Sequence, residues 1–200
     1  MKIIGERIFI RPLRVEDVFN MRKWGVHKNP LLSDYNFPEM SDRQIQKWYE
    51  VKTKSFFNKY FAILTKEDRL IGYMGIKEIK FLKKESTLGI VFDPDLLDSG
   101  YGTETLKYFL KEYFNQMNMK KMYLEVSEFN KRARRVYEKM GFKYNAYHLE
   151  EFFDWDLDLQ SPYFKEVESC FVINGKKIYN YVYSMKLDRE DFLGKISSIS

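Results

Sequence analysis

Apolar and polar positions alternate over residues 7–11 (RIFIR), which predicts a short strand. The period then changes. Over residues 15–24, Val18, Phe19 and Met21 recur at helical spacing behind the acidic pair Glu16 and Asp17, so a helix is expected. Residues 27–40, HKNPLLSDYNFPEM, hold two prolines and no period, and read as a loop. Ser41, with Gln44 three residues on, forms a capping box ahead of a helix that carries Ile45, Trp48, Tyr49 and Lys52.

Three strand-like runs follow at residues 60–65, 70–81 and 86–92. Their polar links, KEDR and LKKE, are short enough to predict an antiparallel meander. After Asp93-Pro94 comes DSGYGTETL, then a helix over 103–116 with Leu106, Phe109, Leu110 and Tyr113 on one face. Residues 119–127 read as a strand and 130–140 as a helix, with Gly141 where a C-terminal glycine cap belongs. Strand, glycine loop, helix, strand and helix make a βαβα unit whose middle strands should be parallel.

Residues 144–153 read as a further strand, and FVINGKKIYNYVYSMKL as a hairpin turning at Asn174-Gly175. With no repeat and no linker, the expectation is one mixed α/β domain over residues 1–200. Its central sheet is mostly antiparallel, with a parallel βαβ around the glycine loop, helices on both faces and a C-terminal hairpin. An acidic, aromatic insertion falls at about 148–170.

Composition narrows the classes. A chain of 200 residues with 44% hydrophobic and 18% aromatic positions can bury a core. No apolar run approaches the ~20 residues of a membrane span, and the start MKIIGERIF lacks the apolar stretch of a signal peptide. No membrane partner is expected. Cys170 is the one cysteine, and His27 and His148 are far apart, so no metal site is expected and a cytoplasmic location is. Residues 118–143 hold eight Lys or Arg against three Glu, and residues 147–170 hold seven Asp or Glu against one Lys. A basic region beside the glycine loop suits an anionic ligand, and the acidic one a cationic ligand.

The glycine loop is the first candidate for chemistry. Gly100 and Gly102 leave bare backbone at the mouth of a helix, whose first turn offers unpaired N–H groups and partial positive charge, an anion site. A P-loop run is absent. The dinucleotide pattern fails too, because Thr103-Glu104-Thr105 follows Gly102 where a third glycine is needed. Nucleic acid is not an expected partner, since the KRARR run lies on one short helix and the acidic insertion would repel a polyanion.

At this point the chain resembles the GNAT family of N-acetyltransferases. Glycine-x-glycine opening a helix after the fourth strand is similar to that family's acetyl-CoA pyrophosphate loop. NKRARRVYEKMGF, residues 130–142, is similar to its Asn-x-x-Ala-x-x-x-Tyr-Glu-x-x-Gly-Phe segment, and RIFIRPLRVEDV to its first strand and helix. The usual Arg or Gln of the loop falls on Leu97, and a frequent glycine on Asp98. The finer likeness is to the branch acetylating ribosomal-protein N-termini, in which a base Glu precedes the acid Tyr by twelve residues, as Glu125 precedes Tyr137.

The resemblance implies roles. Ser99, Gly100, Tyr101, Gly102 and Thr103 would give N–H groups to the pyrophosphate of acetyl-CoA. Ile90, Val91 and Phe92, on a strand interrupted by Gly89, would line the pantetheine arm. Asn130 would cap its helix and contact CoA, and the basic stripe of Arg132, Arg135 and Lys139 would meet the 3′-phosphate. Tyr137 would protonate the CoA thiolate. Glu125 would act as base, a carboxylate raised by burial between the inward-facing Leu124 and Val126.

The acceptor would be a primary amine of a small cationic molecule or of a protein N-terminus. Trp24, Tyr35, Glu150, Phe152 and Asp154 are the expected acceptor-side residues, aromatics and carboxylates that suit an organic cation. A homodimer is one arrangement left open, and a non-catalytic acyl-CoA sensor on the same fold is the alternative function.

Overall fold

In the computed structural model, residues 2–152 and 157–197 are described. The chain opens with β1 (Ile3–Ile4), β2 (Ile8–Pro12) and α1 (Val15–Asn20). After Asn20 the backbone tightens into a 3-10 turn over Met21–Lys23, so Trp24 stands beyond the helix. The expected loop at 27–40 holds a 3-10 segment, Pro30–Tyr35, started by the Asn29 side chain accepting from the Leu31 N–H. Next comes α2 (Asp42–Thr53), opened by the Ser41–Gln44 capping box.

The meander is β3 (Lys59–Thr65), β4 (Leu70–Lys80) and β5 (Glu85–Phe92), and α3 (Tyr101–Asn115), β6 (Lys121–Ser127) and α4 (Lys131–Met140) follow. Gly141 closes α4 at φ 99°, a left-handed cap that a side chain would strain. Then come β7 (Lys143–Glu151), α5 (Pro162–Lys165), β8 (Phe171–Asn174), β9 (Lys177–Asp188) and α6 (Arg189–Ser197). The hairpin link is Gly175-Lys176, one residue later than expected, because Asn174 pairs with Lys177. Strand β1 and helix α6 had no clear signal in the sequence.

The strands form one sheet in the order β1-β2-β3-β4-β5-β6-β9-β7, with β8 beside β9. Among the described residues only β5 and β6 run parallel. The sequence does not reveal that β9 returns to lie between β6 and β7. Alternation along β3 sends Phe61 and Ile63 to the side covered by α3, and Tyr60, Ala62 and Leu64 to the side covered by α1 and α2. The larger core adds Leu106, Phe109, Leu110 and Tyr113 of α3 and Phe192 of α6; the smaller adds Val18 and Ile45. No helix among the described residues is long and apolar enough to cross a membrane.

Candidate active site

Strands β5 and β6 pair only from Glu85↔Lys121 to Leu88↔Leu124. Beyond that point β5 follows β4, with Gly89 opposite Gly75 and Phe92 opposite Gly72, while β6 follows β9. The sheet therefore opens between residues 89–92 and 125–127, leaving backbone N–H and C=O groups along both lips without a strand partner. A cavity of about 500 Å³ fills this opening, lined by Ile90, Val91, Phe92, the whole run from Leu97 to Thr103, Glu125, Asn130, Arg132 and Tyr137.

The glycine loop forms one end. Gly100 is the residue before α3 and takes φ 81°, a left-handed conformation open to glycine at little cost. At Gly102 an added Cβ would meet only Phe92 Cε2, at 3.6 Å, so the bare backbone faces open space. Arg7 braces the loop from behind: its Nη1 donates to the Ser99 carbonyl at 3.0 Å, its Nε to Glu104 at 2.8 Å, and its guanidinium lies over the Tyr101 ring. Burial raises the Glu104 carboxyl, but the Arg7 backbone and side-chain hydrogen bonds outweigh it and hold the group below its ordinary value.

Asp98, which departs from the family pattern, takes φ 60° and lies 3.9 Å from the Arg132 guanidinium, so its charge has a cationic neighbour at the loop. Asn130 is buried, and its side-chain oxygen accepts from the Ala133 N–H at 3.2 Å as an N-cap. Arg135 and Lys139 are exposed, and neither is among the residues lining the cavity. The reason is axial: Arg135 and Lys139 share the Arg132 side of α4 but lie about 4.5 and about 10.5 Å farther along the helix at about 1.5 Å per residue, so only the first of the three stripe cations reaches the cleft mouth.

Tyr137 stands on the cleft wall with its ring edge-on to Phe142 at 5.8 Å. Desolvation, with Tyr35 nearby, pushes its phenol well above the ordinary value, so it stays protonated near neutral pH. Its hydroxyl has no hydrogen-bond partner among the described residues. Glu125 also lines the cleft, but it is exposed, so the desolvation expected of it is missing. Leu124 and Val126 do turn inward, and that alternation is what leaves Glu125 on the opposite, open face.

The expected acceptor residues mostly fall elsewhere. Tyr35 lines the cavity, but Trp24 does not: it packs in the α1–α2 core, stacked on Tyr73 at 6.3 Å. Glu150 is exposed on β7, opposite Asn180 of β9 and away from the cavity. Phe152 packs against Phe129 and Phe171 in a third apolar cluster with Leu31 and Phe164, so this insertion aromatic builds local core. Asp154 lies outside the described residues. In their place the cavity is lined by His27, Lys52, Tyr60, Tyr73 and Lys77, contributed by helix, strand and loop segments far apart in sequence. Among the described residues no group of three or more His, Cys, Asp or Glu could hold a metal ion.

A family model described as an acetyltransferase (GNAT) domain matches residues 7–143. The chain belongs to the GNAT acetyltransferase family, and it is an N-acetyltransferase that uses acetyl-CoA as donor. Its relatives include the spermidine N(1)-acetyltransferase of Vibrio cholerae, 22% identical over 150 residues, or 75% of this chain and 87% of that protein. The spermidine N(1)-acetyltransferase of Escherichia coli K12 is 23% identical over 146 residues, 72% of this chain and 77% of that protein. A crystal structure of the Vibrio cholerae spermidine enzyme in complex with CoA and spermine superposes with a TM-score of 0.70 at 21% identity, covering 94% of this chain and 98% of that one. That superposition establishes the shared fold. The finer likeness to the ribosomal-protein branch finds no support among these relatives.

Proposed function

We propose that the chain moves an acetyl group by direct transfer to the primary amine of a small molecule, in the gap between β5 and β6. The observation that carries this reading is the gap itself, which joins the glycine loop to the sheet face under α1 and α2. The first-turn N–H groups of α3 hold the pyrophosphate, and the free lip of residues 89–92 holds the pantetheine arm and the thioester carbonyl. Glu125 takes the ammonium proton through water, which an exposed carboxylate can relay. The amine nitrogen attacks the carbonyl carbon, the carbon–sulfur bond breaks, and Tyr137 donates its proton to the leaving thiolate.

The spermidine enzymes among the relatives make polyamines the first acceptors to assay, and the protein N-terminus loses its support with the ribosomal-protein likeness. Thiol release from acetyl-CoA against a panel of primary amines tests the reading, with Tyr137→Phe and Glu125→Gln beside the wild type. Turnover lost in both variants supports the pair. Acetyl-CoA binding without thiol release on any amine would put a sensor ahead of a transferase.

A further inference from the structure

On β4 and β5, the residues Tyr73, Gly75 and Lys77 stand opposite Val91, Gly89 and Thr87. All share the face away from α3, because Leu88, Ile90 and Phe92 between them pack toward it. Glu125 is on this same face of β6, and Lys52 of α2 comes down over it. Gly75 has no side chain because the Tyr60 ring occupies that place: an added Cβ would lie 2.5 Å from Tyr60 Cε1. The Lys52 ammonium sits 5.4 Å from that ring and 5.4 Å from Trp48. Lys77 lies over Gly89, with Nζ 3.8 Å from where a Cβ would be.

Among the described residues, two half-buried lysines therefore face this end of the cavity, against one carboxylate, Glu125. Among the described residues neither Lys52 nor Lys77 makes an ion pair. The other carboxylate lining the cavity among the described residues, Asp98, is at the glycine loop beside Arg132. Burial, and then the charge of Lys77, lower the Lys52 pKa, as expected of two cations held together without an anion. A polycation entering here would add to that repulsion, and the carboxylates once expected to receive it are elsewhere or undescribed.

Resting on the transferase reading above, we infer that the acceptor is an amine that also carries an anionic group, a carboxylate or a phosphate, held by Lys52 and Lys77 while its amine faces Glu125. The tyrosines Tyr60 and Tyr73 line the space between as an apolar wall with hydroxyl donors. Burial keeps both phenols protonated, Tyr73 being pushed up to about 12.

The test is a series of primary amines of equal chain length ending in methyl, carboxylate, phosphate or ammonium, with spermidine beside them. The carboxylate- or phosphate-ended amine should exceed the methyl- and ammonium-ended ones in kcat/KM by about tenfold or more, through KM, as loss of a charge-assisted contact would predict. The better of the two names the anion. Lys52→Met and Lys77→Met should each shrink the anionic-to-methyl ratio by about tenfold. Lys77→Glu should move preference toward the ammonium-ended amine, a gain that a misfolded variant cannot mimic. Preference for spermidine or the ammonium-ended amine in the wild type, or an unmoved ratio in the lysine variants, overturns this inference alone. No thiol release with any amine overturns it together with the transferase reading.

Discussion

The end of the cleft proposed for the donor is built from residues close in sequence, and the end proposed for the acceptor is not. The glycine loop, the α3 N-terminus, Asn130 and Tyr137 fall within one βαβα unit, where a helix start and a strand end must adjoin because the chain between them is short. Lys52, Tyr60, Tyr73, Lys77 and Glu125 come from α2, β3, β4 and β6, and share a face only because the four strands from β3 to β6 pair in fixed registers. The glycine-loop end therefore rests on local backbone geometry, and the other end on single side chains that the sheet brings together. Even at the donor end one brace is remote: Arg7 of the first strand region reaches Ser99 and Glu104 across the sheet edge.

The comparison can be broken most sharply where the two ends meet. Tyr137→Phe removes one hydroxyl and should lower kcat by about 10²–10⁴-fold, the range for a lost acid–base group, with acetyl-CoA affinity kept. Glu125→Gln should lower kcat by about 10²-fold on the same ground. Full turnover in either would mean that the ends meet elsewhere.

Next in size is the Arg7 brace. Glu104→Gln should cost about 1.5–3 kcal/mol, the usual worth of hydrogen bonds to a charged group. The Glu104 carboxyl is held below its ordinary 4.5 in the folded chain. Its contribution is therefore complete above that value and is lost as pH falls through the folded one. Thermal melts at pH 7 and pH 3 should show the variant's deficit shrinking in acid; a constant deficit would mean that the carboxylate charge is not what holds the loop.

Two glycines sharpen the donor end. Gly100→Ala places a side chain at φ 81° with its Cβ 3.2 Å from Arg7 Nη2, and should cost about 1–2 kcal/mol of stability. Gly102→Ala meets only Phe92 at 3.6 Å, so the fold should tolerate it while the KM for acetyl-CoA rises roughly tenfold, one charge-assisted contact. Equal melting losses in both would remove the distinction between backbone strain and ligand approach. The smallest effects mark the boundary: Arg135→Ala and Glu150→Ala, outside the cleft, should each change stability by no more than about 0.5 kcal/mol and leave both KM values near wild type.

Most elements were legible because each has a local cause. The Ser41–Gln44 box, the Gly141 cap and the alternation that opens β2 act over a few residues, and each appears in the structure within a residue of where it was expected. Other features were hidden because their cause is remote. Phe152 looks like a ligand aromatic until Phe129 and Phe171 close on it, and Trp24 until Tyr73 stacks beneath it. Lys52 was legible as a helix position and Lys77 as a strand position, and nothing local marks them as neighbours at one cavity.

By itself the sequence determined the order and type of nearly all elements, the glycine-opened helix mouth and the Asn130–Tyr137 helix, since turns, caps and periodicity act between residues near in the chain. Only the tertiary structure decided that β5 and β6 part after Leu88 and Leu124, that β9 returns between β6 and β7, and which charges line the acceptor wall. Those outcomes depend on register between distant strands. A side chain's face along one strand is local, but its neighbours across the sheet are not.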